Sequence, residues 1–232
     1  MAASGESSCC GVGKAMRVID LDQWERREHF QFFQGRRNPC LAVTAPVSVE
    51  NLTTYRKRCA GTKPRLSDCL YYAIMQSANS VPELRLRLVD LRPVEFDTVN
   101  AGFTYVPQGK SLHANCVAGY ATDFARFAAA LDAARAAADL RPTLTPAGAE
   151  GQGLIYMSNL PEVAFTALSN PWGDPWQDSV PRVVFGKIDP GLLTLPVALE
   201  VLHSFVDGRH VSLFCERLEA VLSEPEGVFS GV

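Results

Sequence analysis

The hydrophobic pattern changes its period partway along the chain, and this change constrains the fold most. Between residues 66 and 78, apolar and small residues recur at the three- and four-residue spacing of a helix with one buried face. They are Leu66, Cys69, Leu70, Ala73, Ile74, Ser77 and Ala78. Between residues 84 and 105 the period shortens toward two, as in Leu84 and Leu86, which flank Arg85. Alternation of this kind is typical of antiparallel strands with a polar outer face. The sequence therefore predicts a helix that packs on a sheet.

Other helices and strands interleave along the rest of the chain. Asp22 can cap a short helix that carries Trp24, Arg26 and Phe30. Helices are also predicted from residue 49 and over residues 122–138 and 211–222, and strands over residues 40–46, 154–157, 183–185 and 193–202. This order lacks the regular strand–helix–strand spacing of a doubly wound fold, and no glycine-rich phosphate loop follows a strand. We therefore expect an α+β fold, a single two-layer domain in which helices cover a large mixed sheet.

The domain is expected to fill most of the 232 residues. The small and polar residues 1–13 should form a flexible N-terminal tail, and residues 227–232 a C-terminal tail. The loop of residues 141–153 is too short to link two domains. The sequence thus predicts one domain over residues 14–226.

Charge and cysteine content exclude several classes of protein. The formal net charge of -3 and the pI near 5.8 leave no uniform basic field, so we expect no binding to nucleic acid or to an anionic membrane. The seven cysteines are odd in number and scattered, which indicates reduced thiols in a cytoplasm. Cys9 and Cys10 stand alone, without a partner at zinc spacing, so no metal site is expected. We also expect no signal peptide and no membrane span.

Among four histidines, His203 has the most informative surroundings. It ends an apolar strand, and burial on that strand would keep the imidazole neutral and able to act as a base. Asp207 follows within one turn, and Gly208 permits a sharp reversal into the next helix. A buried structural histidine followed by a helix-capping aspartate fits the same spacing. The residues alone leave both interpretations open.

Two motifs together resemble the chloramphenicol acetyltransferase family. One is His203-Ser204-Phe205-Val206-Asp207-Gly208, and the other runs from Trp24 to Phe30. The resemblance continues in family order through Asn38-Pro39-Cys40, Ser158-Asn159-Leu160-Pro161, Phe185-Gly186-Lys187 and Leu195-Pro196-Val197. It covers nearly the whole chain after the N-terminal tail, and it implies the fold of the CoA-dependent acyltransferases.

The resemblance implies a role for each matching residue. His203 would be the general base that takes a proton from an acceptor hydroxyl, and Ser158 would stabilise the oxyanion. Asp207 and Arg26 would form a structural ion pair that supports the base. Lys187 would face the phosphates of acetyl-CoA, which is expected as a cosubstrate, with no permanently bound cofactor.

The expected activity is O-acetyl transfer to a small alcohol, chloramphenicol or a related compound, in a cytoplasmic homotrimer with active sites between subunits. The residues expected to contact the acceptor are Phe33, Cys40, Phe103 and Trp176. Departures from the family pattern at Leu202, Glu162, Phe33 and Arg209 concern the acceptor pocket. Two alternatives therefore stay open. One is an acyltransferase of the same fold with another acceptor or acyl group, and the other is a non-catalytic trimeric binding module.

Overall fold

A computed structural model describes residues 16–230 of the protein. The helices are α1 (Arg27–Gln34), α2 (Glu50–Arg58), α3 (Leu66–Ser80), α4 (Phe124–Leu140), α5 (Gly208–Ser223) and α6 (Pro225–Phe229), with a 3₁₀ helix over Pro82–Arg85. The strands are β1 (Met16–Val18), β2 (Cys40–Ser48), β3 (Leu86–Val89), β4 (Arg92–Phe96), β5 (Asn100–Tyr105), β6 (Ala114–Ala118), β7 (Leu154–Asn159), β8 (Arg182–Phe185) and β9 (Thr194–Leu202). The tail predicted for residues 1–13 lies outside the described residues.

Six strands form one mixed sheet in the order β2-β9-β8-β7-β5-β6. Strand β7 pairs in parallel with both β5 and β8, and the other neighbours are antiparallel. The remaining strands form a small antiparallel sheet in the order β1-β4-β3. The predicted α+β architecture with a large mixed sheet is confirmed.

Helices α3, α4 and α5 cover one face of the large sheet. The ring of Tyr71 on α3 lies 5.2 Å from that of Phe103 on β5 and 5.4 Å from that of Phe185 on β8. Because successive side chains of a strand point to opposite faces, their neighbours Thr104 and Val184 point away from the helices. The core therefore lies between the helices and one face of the sheet.

The opposite face carries two buried charged side chains, Glu200 on β9 and Arg182 on β8. Glu200 accepts hydrogen bonds from the backbone N–H of Asn170, at 2.7 Å, and from Ser169. The guanidinium of Arg182 lies 3.5 Å from the centre of the Trp172 ring. These contacts attach residues 160–181, which we call the covering segment, to this face of the sheet.

The first helix starts later than predicted. Helix α1 begins at Arg27, and no side chain caps its first turn. The carboxylate of Asp22, predicted as the cap, instead pairs with the side chain of Arg27 at 2.7 Å. Asp22 lies four residues before Arg26, the N-cap residue of this helix, so its carboxylate is not at the position from which a side chain caps the first turn.

The predicted C-terminal tail is also wrong for residues 227–229. They belong to α6, and Phe229 is 1% exposed. Its ring lies 4.9 Å from that of Phe124 and 6.0 Å from that of Tyr72. Burial of a phenylalanine is worth about 1.5–3 kcal/mol, which favours an ordered end of the domain over a free tail.

Candidate active site

His203 directly follows β9, as the sequence predicted. Its backbone N–H donates to the carbonyl of Pro39 at 2.8 Å, and its ring Nδ1 lies 3.0 Å from the carbonyl oxygen of Val206. Because a carbonyl oxygen only accepts, Nδ1 carries the proton of the neutral ring and donates it to this bond. The lone pair is then on Nε2. Nε2 is therefore the atom that can take a proton from a substrate.

Arg26 holds the loop of residues 203–207 from the start of α1. Its Nε donates to the carbonyl of Ser204 at 2.9 Å, and its two terminal nitrogens donate to the carbonyl of His203 at 3.1 Å and to Asp207 at 2.8 Å. The side chain is 12% exposed. One guanidinium thus fixes both ends of the loop that carries the imidazole.

Asp207 serves both α5 and the ion pair. One carboxylate oxygen accepts from Arg26, and the other accepts from the backbone N–H of Arg209 at 3.1 Å, which caps the helix. Burial by itself raises the pKa of the Asp207 carboxyl, but the hydrogen bond and the charge of Arg26 and the bond from the Arg209 N–H help to outweigh burial, and the pKa is lowered. The carboxylate is therefore ionised at neutral pH. The two sequence interpretations of Asp207, ion pair and helix cap, both hold.

Phe33 and Cys40 lie at the His203 end of β9. The ring of Phe33 stacks on the imidazole with centroids 4.3 Å apart and planes inclined by 21°. Cys40 pairs with Leu202 across β2 and β9. Burial, with a further contribution from Glu200, raises the pKa of the Cys40 thiol to about 11. The thiol therefore stays protonated at neutral pH and is no nucleophile.

Ser158 lies on β7, on the sheet face that points away from the helices. It borders a cavity of about 220 Å³, which is also lined by Thr104, Asn115, Tyr156 and Leu144. The hydroxyl of Thr104 donates to Ser158 Oγ at 3.3 Å. The Ser158 hydroxyl can therefore donate its own hydrogen to a group in the cavity.

The structure does not bring Ser158 and His203 together within one chain. Ser158, Val184 and Ala198 lie side by side on β7, β8 and β9, and His203 lies five residues beyond Ala198. The usual rise per residue and the usual distance between strands put the two Cα atoms roughly 15–20 Å apart. One chain therefore presents two separate halves of the predicted site.

Lys187 is exposed, just beyond the end of β8. It lines two cavities, of about 430 Å³ and about 570 Å³, on either side of its side chain. The smaller one also includes Asn159, which directly follows Ser158. Lys187 thus belongs to the Ser158 half of the site.

The two other residues predicted to contact the acceptor lie on β5 and in the covering segment. Phe103 is 3% exposed and its ring packs against Tyr71 of α3, although the residue also borders the Ser158 cavity. Its contact with the acceptor stays a prediction. Trp176 lies half-buried in a turn of the covering segment, where its backbone N–H donates to the carboxylate of Asp174. The structure gives neither ring a contact with His203.

His210 has a role that sequence reasoning missed. Its Nδ1 accepts from the backbone N–H of Asp207 at 3.1 Å, and its Nε2 lies 3.6 Å from a carboxylate oxygen of Glu83. This bond completes a reciprocal cap at the start of α5. The signal in the sequence is a polar side chain three residues after a capping aspartate.

Over residues 16–230, no cluster of histidine, cysteine, aspartate and glutamate side chains has the arrangement of a metal site. Within the same range, no helix is long and apolar enough to cross a bilayer.

Comparisons with known proteins agree with this geometry. A family model described as chloramphenicol acetyltransferase matches residues 15–219. Chloramphenicol acetyltransferase 2 of Haemophilus influenzae is 26% identical over 203 residues, which cover 87% of this chain and 94% of the relative. The chloramphenicol acetyltransferase of Streptomyces acrimycini is 29% identical over 213 residues, which cover 89% of this chain and 94% of the relative. A solved chloramphenicol acetyltransferase structure, 28% identical, superposes with a TM-score of 0.72 over 90% of this chain and 99% of that chain.

The family match spans far more than half of the chain and includes His203, Ser158, Arg26, Asp207 and Lys187. The chain belongs to the chloramphenicol acetyltransferase family.

Proposed function

We propose that the protein transfers an acetyl group from acetyl-CoA to a hydroxyl of chloramphenicol or a related alcohol, with His203 as the general base. The observation that carries this proposal is the bond from His203 Nδ1–H to the Val206 carbonyl, which leaves Nε2 free to accept a proton. A positioned base of this kind contributes about 10²- to 10⁴-fold to a rate. Transfer to chloramphenicol would inactivate the drug and so give antibiotic resistance.

The reaction needs no acyl-enzyme and no permanently bound cofactor. His203 Nε2 takes the proton of the acceptor hydroxyl while its oxygen attacks the thioester carbonyl carbon. The carbonyl oxygen becomes an oxyanion, to which the Ser158 hydroxyl donates. When the intermediate collapses, the C–S bond breaks and the CoA sulfur receives the proton back from His203. The products are the acetyl ester and free CoA.

Electrostatics supports a place for acetyl-CoA beside Ser158. Lys187 is an exposed cation between two cavities at the end of β8. Its ammonium can pair with the phosphates of CoA while the thioester end reaches Ser158. Arg26 and Asp207 act on the other half of the site, where they hold the loop of His203 and transfer no proton.

The distance between the two halves supports a site that forms between copies of the chain in a homotrimer. One copy would supply His203, and its neighbour would supply Ser158 and Lys187. The experiment mixes two strongly impaired variants, His203→Ala and Ser158→Ala, before refolding. In a random mixture about a quarter of the sites combine two intact halves, so about a quarter of wild-type activity should return. Mixtures that stay as inactive as the separate variants would place the whole site within one chain.

The identity of the acceptor is tested by release of the CoA thiol from acetyl-CoA, with chloramphenicol and with a panel of simple alcohols. Chloramphenicol-dependent release is the expected result. Phe33, Cys40 and residues of the covering segment would then contact the drug. Binding of CoA and alcohol without any transfer would favour a non-catalytic binding module.

A second candidate is transfer to another acceptor or of another acyl group on the same fold. It is favoured by the buried charges of Glu200 and Arg182, which lie under the covering segment on the same face of the sheet as Ser158. Thiol release with other alcohols but not with chloramphenicol would support it.

The cysteines support a reducing compartment, and we propose a cytoplasmic location. Cys40, Cys59, Cys69, Cys116 and Cys215, the cysteines within residues 16–230, are all free thiols. Acetyl-CoA is available in the same compartment.

A further inference from the structure

The hydroxyl of Thr104 makes a direct contact with Ser158 that the proposed mechanism does not use. Thr104 lies on β5 and Ser158 on β7, which pair in parallel with Phe103 opposite Met157. The next residue of each strand points to the other face, so both hydroxyls enter the same cavity of about 220 Å³. The Thr104 hydroxyl donates to Ser158 Oγ at 3.3 Å.

The direction of this bond determines what the serine can do. A hydroxyl has one hydrogen and two acceptor positions and rotates freely when unpartnered. Because Ser158 Oγ accepts from Thr104, its own hydrogen is left to donate into the cavity. We propose that Thr104 is a positioning residue that orients the Ser158 hydroxyl toward the oxyanion. This inference rests on the role of Ser158 in the proposed function.

Thr104 is itself held firmly. It pairs with Asn115 of β6, whose side-chain amide donates to the carbonyl of Leu144 at 2.8 Å. Its neighbour Phe103 is packed between α3 and the sheet. Neighbours on both sides fix the Thr104 backbone, so its hydroxyl offers Ser158 a donor at one position. An oriented donor needs little reorganisation when charge develops in the transition state.

The test compares Thr104→Val, which removes the hydroxyl at nearly constant volume, with Thr104→Ser, which keeps it. One intramolecular hydrogen bond corresponds to about a 2- to 12-fold change, so Thr104→Val should lower kcat by this factor. KM for both substrates should change less than about twofold, because the bond matters in the transition state. Thr104→Ser should recover most of kcat. Thr53→Val, at a half-buried threonine of α2 that lines none of the cavities described above, is the matched control.

The effect of Thr104→Val is then measured again in a Ser158→Ala background. If Thr104 acts through Ser158, Thr104→Val should have no further effect there. An equal fall of kcat in both backgrounds, or an unchanged kcat in the single variant, overturns the inference while leaving the proposed function intact. Full turnover by Ser158→Ala overturns both.

Crystal structures give a readout that needs no activity. Ser158 should occupy one rotamer in the wild-type protein and more than one in Thr104→Val. A single unchanged rotamer in that variant overturns the positioning role.

Discussion

The imidazole of His203 is restrained in three independent ways. Val206 accepts from Nδ1, Phe33 covers one ring face, and Arg26 holds the His203 carbonyl. Each restraint fixes a different degree of freedom: the tautomer, the ring plane and the backbone. A base held like this loses little entropy when it meets the substrate.

Replacement of His203 by alanine should lower kcat by about 10²- to 10⁴-fold, because the nearby carboxylate of Asp207 is already held by Arg26 and by the Arg209 N–H and does not take its place as the base. The ring is only partly buried, so the fold should survive the change. Thiol release measures the rate, and acetyl-CoA binding with a melting curve provides the controls. A variant that keeps more than half of wild-type turnover would contradict the role of His203.

Asp207 makes stability depend on pH in the acid range. The hydrogen bond and the charge of Arg26 help to outweigh burial, so the pKa of this carboxyl is lowered in the folded state. A depressed pKa adds stability above the unfolded value near 3.9, and this stability is lost as the pH falls through the folded pKa. Melting temperatures of the wild-type protein should therefore fall below about pH 4 more steeply than those of Asp207→Asn. Parallel curves would exclude this contribution.

At the scale of elements, Arg26 and Asp207 join α1 to the start of α5 across the His203 loop. Their side chains are 12% and 35% exposed, so the pair is only partly buried. Loss of either partner should lower the free energy of unfolding by about 1–3 kcal/mol, a value between those for exposed and for buried ion pairs. Arg26→Met and Asp207→Asn should each lower turnover. The double variant should lose less stability than the sum of the losses in the two single variants.

The control for this cycle is Arg17→Met, since Arg17 pairs with Glu95 at the surface with its side chain 73% exposed. Arg17→Met should change the free energy of unfolding, measured by urea denaturation, by less than about 1 kcal/mol. Strict additivity of the Arg26 and Asp207 variants would show that the two residues act separately.

The covering segment packs closely against Gly186, just beyond β8. A Cβ there would lie 2.6 Å from the carbonyl oxygen of Val163, 2.7 Å from the Phe165 ring and 2.8 Å from Pro196. Gly186→Ala should therefore destabilise the fold by about 1–3 kcal/mol, as overpacking does. Gly173→Ala, in the same segment with open space around it, should leave the melting temperature nearly unchanged. Equal melting temperatures of the two variants would contradict this packing.

Local patterns predicted most elements because each needs only neighbouring residues. The apolar run before His203 became β9, and the stripe from Leu66 became α3. The two errors have different causes. Asp22 lies before the N-cap position and pairs locally with Arg27, whereas Phe229 is buried by rings on α3 and α4, which are far away in sequence.

At the scale of the whole molecule, the motifs predicted candidate site residues but not the distances between them. The strand order places β8 between β9 and β7, and Ser158 is level with Ala198 instead of His203. Strand order depends on pairing between segments far apart in sequence, which periodicity does not encode. Only the sheet reveals that Ser158 and His203 lie apart within one chain.

A second copy on the Ser158 half would cover apolar surface there. Leu144 is 60% exposed and borders the Ser158 cavity. A charge at the centre of such a contact opposes its desolvation, so Leu144→Asp should shift the protein toward monomers. Leu91→Asp, in the hairpin of the small sheet and 67% exposed, is the matched control.

Light scattering should give three chains of 25.3 kDa for the wild-type protein and for Leu91→Asp. For Leu144→Asp it should give smaller species at low concentration, because assembly depends on protein concentration. Acetyl transfer should fall in proportion to the loss of assembly, since an isolated chain keeps His203 and Ser158 roughly 15–20 Å apart. A monomer with full activity would contradict both the trimer and the shared site, because one chain would then bring the base to the oxyanion donor without a partner.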